Sequence, residues 1–210
     1  MLTPEPDCIL CPRLCAFRAE ARQRFPDWYN APVPAFGDRD AWLLIVGLAP
    51  GLRGANRTGR PFTGDFAGDL LFRTLKAHRL AEGDYRGESD DGLRLVGCRI
   101  SNAVRCVPPG NRPTPAEVRA CGRFLAAELA ALSHLRVVVA LGRVAHEAVL
   151  SALGAARSAF PFAHGALHIP RPQLLLADSY HCSRQNTNTK RLTEPMFDAV
   201  FRRVCADASA

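Results

Sequence analysis

The chain has no long hydrophobic run. Its longest apolar stretches, such as residues 135–141, fall far short of the roughly 20 residues that cross a bilayer, so no membrane partner is expected. The first residues, MLTPEPDCIL, lack the basic start and apolar run of an export signal. No repeat of fixed period is present, which sets aside solenoids and propellers. The P-loop order G-x-x-x-x-G-K-[ST] is missing as well. Lysine is nearly absent, with Lys76 and Lys190 alone among 27 basic residues. These absences leave a soluble, intracellular chain as the expectation.

What is present is enough for a real core. The 210 residues are 48% hydrophobic and 22% charged, which excludes a disordered chain and suits one domain over residues 1–210. The formal charge of +7 is carried almost wholly by arginine. Guanidinium forks match phosphate oxygens and stack on bases, so a polyanionic partner is favoured. A coding bias toward arginine is the plain alternative.

Eight cysteines, at 8, 11, 15, 98, 106, 121, 182 and 205, are many for a chain without an export signal. A disulfide framework needs an oxidising compartment, so a metal or cluster site is the better starting point. Cys8 and Cys11 form a C-x-x-C, which lets two thiolates reach one metal centre from a tight turn. Cys106 lies just before Pro108, Pro109 and Gly110, and Cys121 follows fifteen residues later, so a four-thiolate site is expected. Cys15, Cys182 and Cys205 lack such a context, and Cys98 sits in an apolar strand-like run. Ordinary buried thiols remain the alternative, since cysteine packs as a small hydrophobe.

Four short, nearly continuous apolar runs read as buried strands, at 42–46, 93–100, 135–141 and 173–177. Helical periodicity lies between them at 66–78, 144–153 and 193–204, with a short polar helix at 13–24. Another helix opens at Thr114, Pro115 and Glu117 as a capping box with proline at the first helical position. Its stripe of Val118, Cys121, Leu125, Leu129 and Leu132 turns Cys121 inward. The pattern predicts a three-layer α/β sandwich, αβα, around a four-stranded and mostly parallel sheet. Sites in such sheets gather beyond the carboxyl ends of the strands.

The loops at those ends hold the unusual residues. Residues 47–65 carry five glycines, which permit close backbone approach to a ligand. Within this loop Phe62 is either a stacking platform or a core anchor. Asp65 precedes an apolar helical run and reads as its N-cap, which leaves a general-base role open. Asn102 offers a donor and an acceptor and can read a base edge, though such a residue also serves turns. In the 179–191 segment, eleven of thirteen side chains other than Tyr180 and Cys182 can hydrogen-bond, and three are basic. That suits phosphate contacts and insertion into DNA; a solvated connector is the alternative.

Taken together, GLAPG at 47–51, GRPFTGD at 59–65, NAVRCVPPGNRPTP at 102–115 and HCSRQNTNTKRLT at 181–193 resemble the uracil-DNA glycosylase superfamily, in particular its family 5, the iron–sulfur type. CPRL at 11–14 fits as well, and the resemblance spans nearly the whole chain. Cys182 departs from the pattern, which usually has proline after the histidine. Leu48, where other families keep a polar water-activating residue, agrees with family 5.

The resemblance implies a single glycosylase-like domain with an N-terminal cluster-binding segment. It also implies roles. Phe62 stacks on a flipped uracil and Asn102 bonds its polar edge. His181 stabilises negative charge on the departing base, and Asp65 orients water and offsets the cationic sugar. The main chain around Gly47, Leu48, Ala49, Pro50 and Gly51 completes the pocket. Ser183, Arg184, Gln185 and Asn186 engage DNA, and Cys8, Cys11, Cys106 and Cys121 hold a structural 4Fe-4S cluster. The expected protein is a monomer acting on DNA that contains uracil or another deaminated base such as hypoxanthine. No amine is placed for a Schiff base, so lyase activity is not expected. The competing readings are a nucleic-acid-binding metalloprotein without catalysis and a zinc-stabilised domain with no DNA role.

Overall fold

The computed structural model describes residues 2–208; Met1, Ser209 and Ala210, part of the expected 1–210 domain, lie outside the described residues. The strands are β1 (Phe36–Gly37), β2 (Leu43–Gly47), β3 (Ala81–Glu82), β4 (Arg94–Leu95), β5 (Cys98–Asn102), β6 (Val137–Leu141), β7 (Leu167–Arg171) and β8 (Leu174–Ser179). The helices are α1 (Pro12–Arg24), α2 (Ala55–Thr58), α3 (Phe66–Ala77), α4 (Pro115–Ala131), α5 (Arg143–Ala152), α6 (Arg184–Asn188) and α7 (Glu194–Ala208).

The main sheet runs β1-β5-β2-β6-β8-β7, with the four central strands parallel and the two edge strands antiparallel. It therefore has six strands rather than the expected four. Both additions lack the signal of a buried strand. β1 is two residues long, and β7 (LHIPR) carries a proline and a register shift, as an edge strand tolerates. The expected strand at 93–100 is also divided. Gly97 takes φ +62° between β4, which pairs with β3 in a separate hairpin, and β5, which enters the main sheet.

Alternation along the central strands builds the layers. Leu43 and Ile45 face a core shared with Leu71, Leu75, Phe197 and Phe201 of α3 and α7. Leu44 and Val46 face the opposite core, with Leu125 and Leu129 of α4 and Val149 of α5. Each face is dry, which is why the strand sequences read as continuous apolar runs. A third, smaller cluster joins Leu14 of α1 to Val104, Cys106, Cys121 and Phe124.

Both expected caps form. Thr114 accepts from the Glu117 amide at 3.2 Å, and Glu117 accepts from the Thr114 amide at 2.7 Å. Asp65 caps α3 by accepting from Gly68 N at 3.1 Å. No helix among the described residues is long and apolar enough to cross a membrane.

Candidate active site and thiol centre

The carboxyl ends of β2, β5 and β8 open into one cleft of about 700 Å³. Leu48, Ala49, Pro50, Gly51, Phe62, Asp65, Asn102, His181, Ser183, Arg184, Gln185 and Asn186 all line it. Gly47 is the one expected pocket residue that does not. It ends β2 behind the cleft wall, where a Cβ would come within 2.5 Å of Asn102 Oδ1 and 2.7 Å of Phe62 Cζ. Its bareness lets those two side chains close together.

Phe62 is both a core anchor and a cleft residue. It is 7% exposed, and its φ of +57° is unusual outside glycine. The turn around it is held by Tyr85 Oη, which donates to its carbonyl at 3.0 Å, and by Thr63 Oγ1 donating to Arg60 O at 2.7 Å. Behind the turn, Arg60 and Asp91 form a buried two-point pair, both contacts 2.7 Å. Burial works against the Asp91 carboxylate, yet Arg60 and the amides of Arg86 and Leu93 hold its pKa well below the usual range. The pairing is not legible in the sequence, because it joins residues 31 apart.

Asn102 is the last residue of β5. Its position is fixed because Ala103 N donates to Gly47 O at 2.9 Å and Val104 N to Leu48 O at 3.0 Å. Below it, Glu128 of α4 collects Arg99 (2.7 Å), Ser101 (2.6 Å) and Arg105 (2.5 Å) into a buried network.

His181 follows the end of β8. Burial drives its pKa down to about 4, so its ring is neutral near pH 7 and offers an N–H rather than a full charge. Asn186 Nδ2 donates to His181 O at 2.8 Å, and Cys182 is wholly buried with its thiol toward Ala67 O at 3.4 Å. This segment is thus fixed without the usual proline. The 184–188 stretch, read as a loop, is the short helix α6, capped by Ser183, with the Arg184 guanidinium 5.8 Å from the centre of the Phe66 ring.

Asp65 uses Oδ1 for its cap, while Oδ2 faces Gly51 and Gly54, whose missing side chains leave it room. Burial raises its pKa, the amides of Gly68 and Ala67 pull it back, and Asp69 adds to the rise. The cap role is thus formed, and the same carboxylate also lines the cleft.

Behind Ala49, which lines the cleft and packs on the third cluster, Cys8, Cys11, Cys106 and Cys121 line one small cavity with Leu14, Val104 and Phe124. Cys15, which the sequence left without a context, lines it too and donates to Cys8 O at 3.1 Å. Burial raises the Cys106 thiol to about 12, despite Arg18 nearby, and Cys121 adds to the rise. Burial and the neighbouring Cys121 raise Cys11 to about 11. Thiolates become stable in such a place only when cations share it. Arg13 of α1 clamps this region to α4 by a two-point pair with Glu117 at 2.7 and 2.8 Å.

A second cluster lies apart from both. His146, His168 and Asp178 bring their ligand atoms within 4.8 Å of one another. The His146 ring nitrogens meet Asp178 at 2.7 Å and Phe160 O at 2.9 Å. His168 meets the other Asp178 oxygen at 3.0 Å. These are ordinary hydrogen-bond distances, and the three side chains satisfy one another.

The sequence profile of the Uracil DNA glycosylase superfamily matches residues 34–205, and the chain belongs to that superfamily. Within it, the chain is similar to the Type-5 uracil-DNA glycosylase of Thermus thermophilus, with 52% identity over 202 residues, 92% of this chain and 90% of the relative. The corresponding protein of Pyrobaculum aerophilum is 42% identical over 206 residues, 96% of this chain and 89% of its own. That of Mycobacterium tuberculosis is 43% identical over 203 residues, 93% and 76% respectively.

Proposed function

We infer that the chain is a monofunctional uracil-DNA glycosylase of DNA repair, hydrolysing the N-glycosidic bond and leaving an abasic site. The observation that carries this is the convergence of Asp65, Asn102 and His181 on one cleft in a chain that belongs to the superfamily. Cleavage develops positive charge on the sugar and negative charge on the base. A carboxylate and a neutral N–H donor suit those opposite ends. Asn102 bonds the base edge and Phe62 supports its face. Leu48 to Gly51 supply main-chain groups, and Asp65 Oδ2 holds water or faces the sugar. Ser183, Arg184, Gln185 and Asn186 contact the strand, Asn186 also bracing His181. The same pocket accepts other deaminated bases such as hypoxanthine.

Cys8, Cys11, Cys106 and Cys121 fit a 4Fe-4S cluster. The donors are all sulfur, in a shell of Leu14, Val104 and Phe124 that also holds Arg18 and Arg105, and sulfur donors select thiophilic metals. When bound, the cluster supplies folding energy and no step of the hydrolysis. The chain acts as one intracellular, monomeric domain with its N-terminal segment closed onto α4 by the thiols.

The test is a uracil-containing oligonucleotide incubated with the purified protein, with and without alkali. Cleavage only after alkali supports a monofunctional glycosylase; an unchanged strand rejects the reading. Iron analysis tests the cofactor separately, with about four atoms per chain expected for one such cluster; a colourless protein that holds only zinc rejects it.

A further inference from the structure

Three arginines surround the thiol centre, and two of them are committed to carboxylates. Arg13 pairs with Glu117 at 2.7 Å, and Arg105 with Glu128 at 2.5 Å. Arg18 is 5% exposed, yet among the described residues no carboxylate lies within ion-pair distance of it. Its guanidinium donates instead to Cys106 Sγ at 3.4 Å and to Cys8 O at 2.9 Å. Asp7, which senses Arg18 from farther off, is exposed and already paired with Arg22 at 2.6 Å.

The position makes this unusual. The buried residues of α1 are Leu14, Arg18 and Ala21, the i, i+4, i+7 stripe where an amphipathic helix carries apolar side chains. A guanidinium there gives up its hydration, and a neutral thiol returns little of that loss. A thiolate returns far more, because hydrogen bonds with a charged donor and a charged acceptor are about twice as strong as neutral ones.

We propose that Arg18 is the charge partner of the thiol centre: its guanidinium offsets the negative charge of the metal-bound thiolates, holds the cluster in place and raises its reduction potential. The proposal rests on the cluster reading above. Its two hydrogen bonds also join ligands from distant parts of the chain, Cys8 before α1 and Cys106 after β5. The sign of the potential effect follows from charge. Reduction adds one negative charge to the cluster, and a fixed cation stabilises that state more than the oxidised one. Outer partners of metal ligands typically change retention by about 10–100-fold.

The experiment uses the whole protein, purified anaerobically, with Arg18→Gln and Arg18→Lys variants. Iron per chain, visible absorbance, the midpoint potential and the rate of bleaching in a chelator are measured. Arg18→Gln should lose iron about 10-fold faster than wild type and show a lower potential, with Arg18→Lys between them. A Gln variant that matches wild type in both readouts overturns the proposal. So do equal shifts in the Lys and Gln variants, which would assign the effect to hydrogen-bond shape. If Arg18→Gln does not fold, the Lys variant decides: a potential close to wild type supports the charge role, and one far below it rejects that role. A wild-type protein without iron rejects the cluster reading itself, a distinct result.

Discussion

Phe62 and His181 face each other at the cleft, with 6.0 Å between ring centroids and 24° between planes. One ring arrives from the loop after β2 and the other from the end of β8, so strands β2 and β8 jointly set their spacing. His181 is neutral there near pH 7, and the function proposed above gives it an N–H for charge that appears during bond breaking. Replacing it by alanine should lower the single-turnover rate on the order of 10²–10³. Affinity for an uncleavable uracil analogue should change little. Lost affinity with a preserved rate would reduce His181 to a packing partner of Phe62.

Asp65 should give the pH–rate profile its acid limb. Its pKa is raised chiefly by burial, so the ionised form prevails above that value and is lost as pH falls through it. Asp65→Asn keeps an oxygen for the Gly68 amide, and should bind uracil DNA normally while losing rate on the order of 10²–10⁴. Its residual rate should show no acid limb. A near-normal rate in a correctly folded variant would leave Asp65 as a helix cap alone.

Two histidines should tilt stability in opposite directions with pH. His181, lowered to about 4 from 6.5, refuses a proton that the unfolded chain accepts, so stability falls as pH drops between those values. For His146, burial lowers the pKa but the bond and charge of Asp178 outweigh it, with Phe160 O and Glu147 adding, and the net shift is upward. Its contribution is complete below 6.5 and fades as pH rises through the folded value. Thermal melts should therefore show a flatter acid side in His181→Gln and a flatter alkaline side in His146→Gln. Parallel curves for all three proteins would contradict both assignments.

Asp91→Asn leaves the Arg60 guanidinium buried without its counter-charge. Breaking such a pair from one side typically removes about 3–5 kcal/mol, measurable by urea melts. The loss should also weaken uracil binding, because Arg60 begins the turn that carries Phe62. A stability change below about 1 kcal/mol would mean that water takes the place of the carboxylate.

Arg184 is exposed on α6 at the cleft rim. Its replacement by alanine should weaken DNA binding and reduce the slope of log affinity against log salt by about one. The saturated single-turnover rate should stay close to wild type. An unchanged slope would move the phosphate contact elsewhere.

The order of the elements and the cleft residues were legible because their signals are local. Strand runs, caps and loop motifs lie within a few residues of one another. The edge strands were not legible: β1 is too short for a pattern, and β7 is half-buried with a proline in it. The supports of the site were hidden for a different reason. Arg60 with Asp91, Glu128 with Arg99 and Arg105, and Arg18 with Cys106 are contacts between distant segments, and nothing local to any of these charged residues names its partner. Cys15 was set aside on spacing alone, although one turn of α1 brings it back to the Cys8 carbonyl.

Because the carboxylate that lines the cleft is also the cap of α3, position 65 answers to the demands of folding as well as to those of the cleft. A library selected only for survival at high temperature, with no demand for repair, should still favour Asp65, Asn, Ser or Thr over alanine. Pressure on folding alone thus keeps a hydrogen-bonding group at this edge of the cleft. Heat-hardened variants would keep a cap at this position, and those that took Asn, Ser or Thr would remain one substitution away from the aspartate.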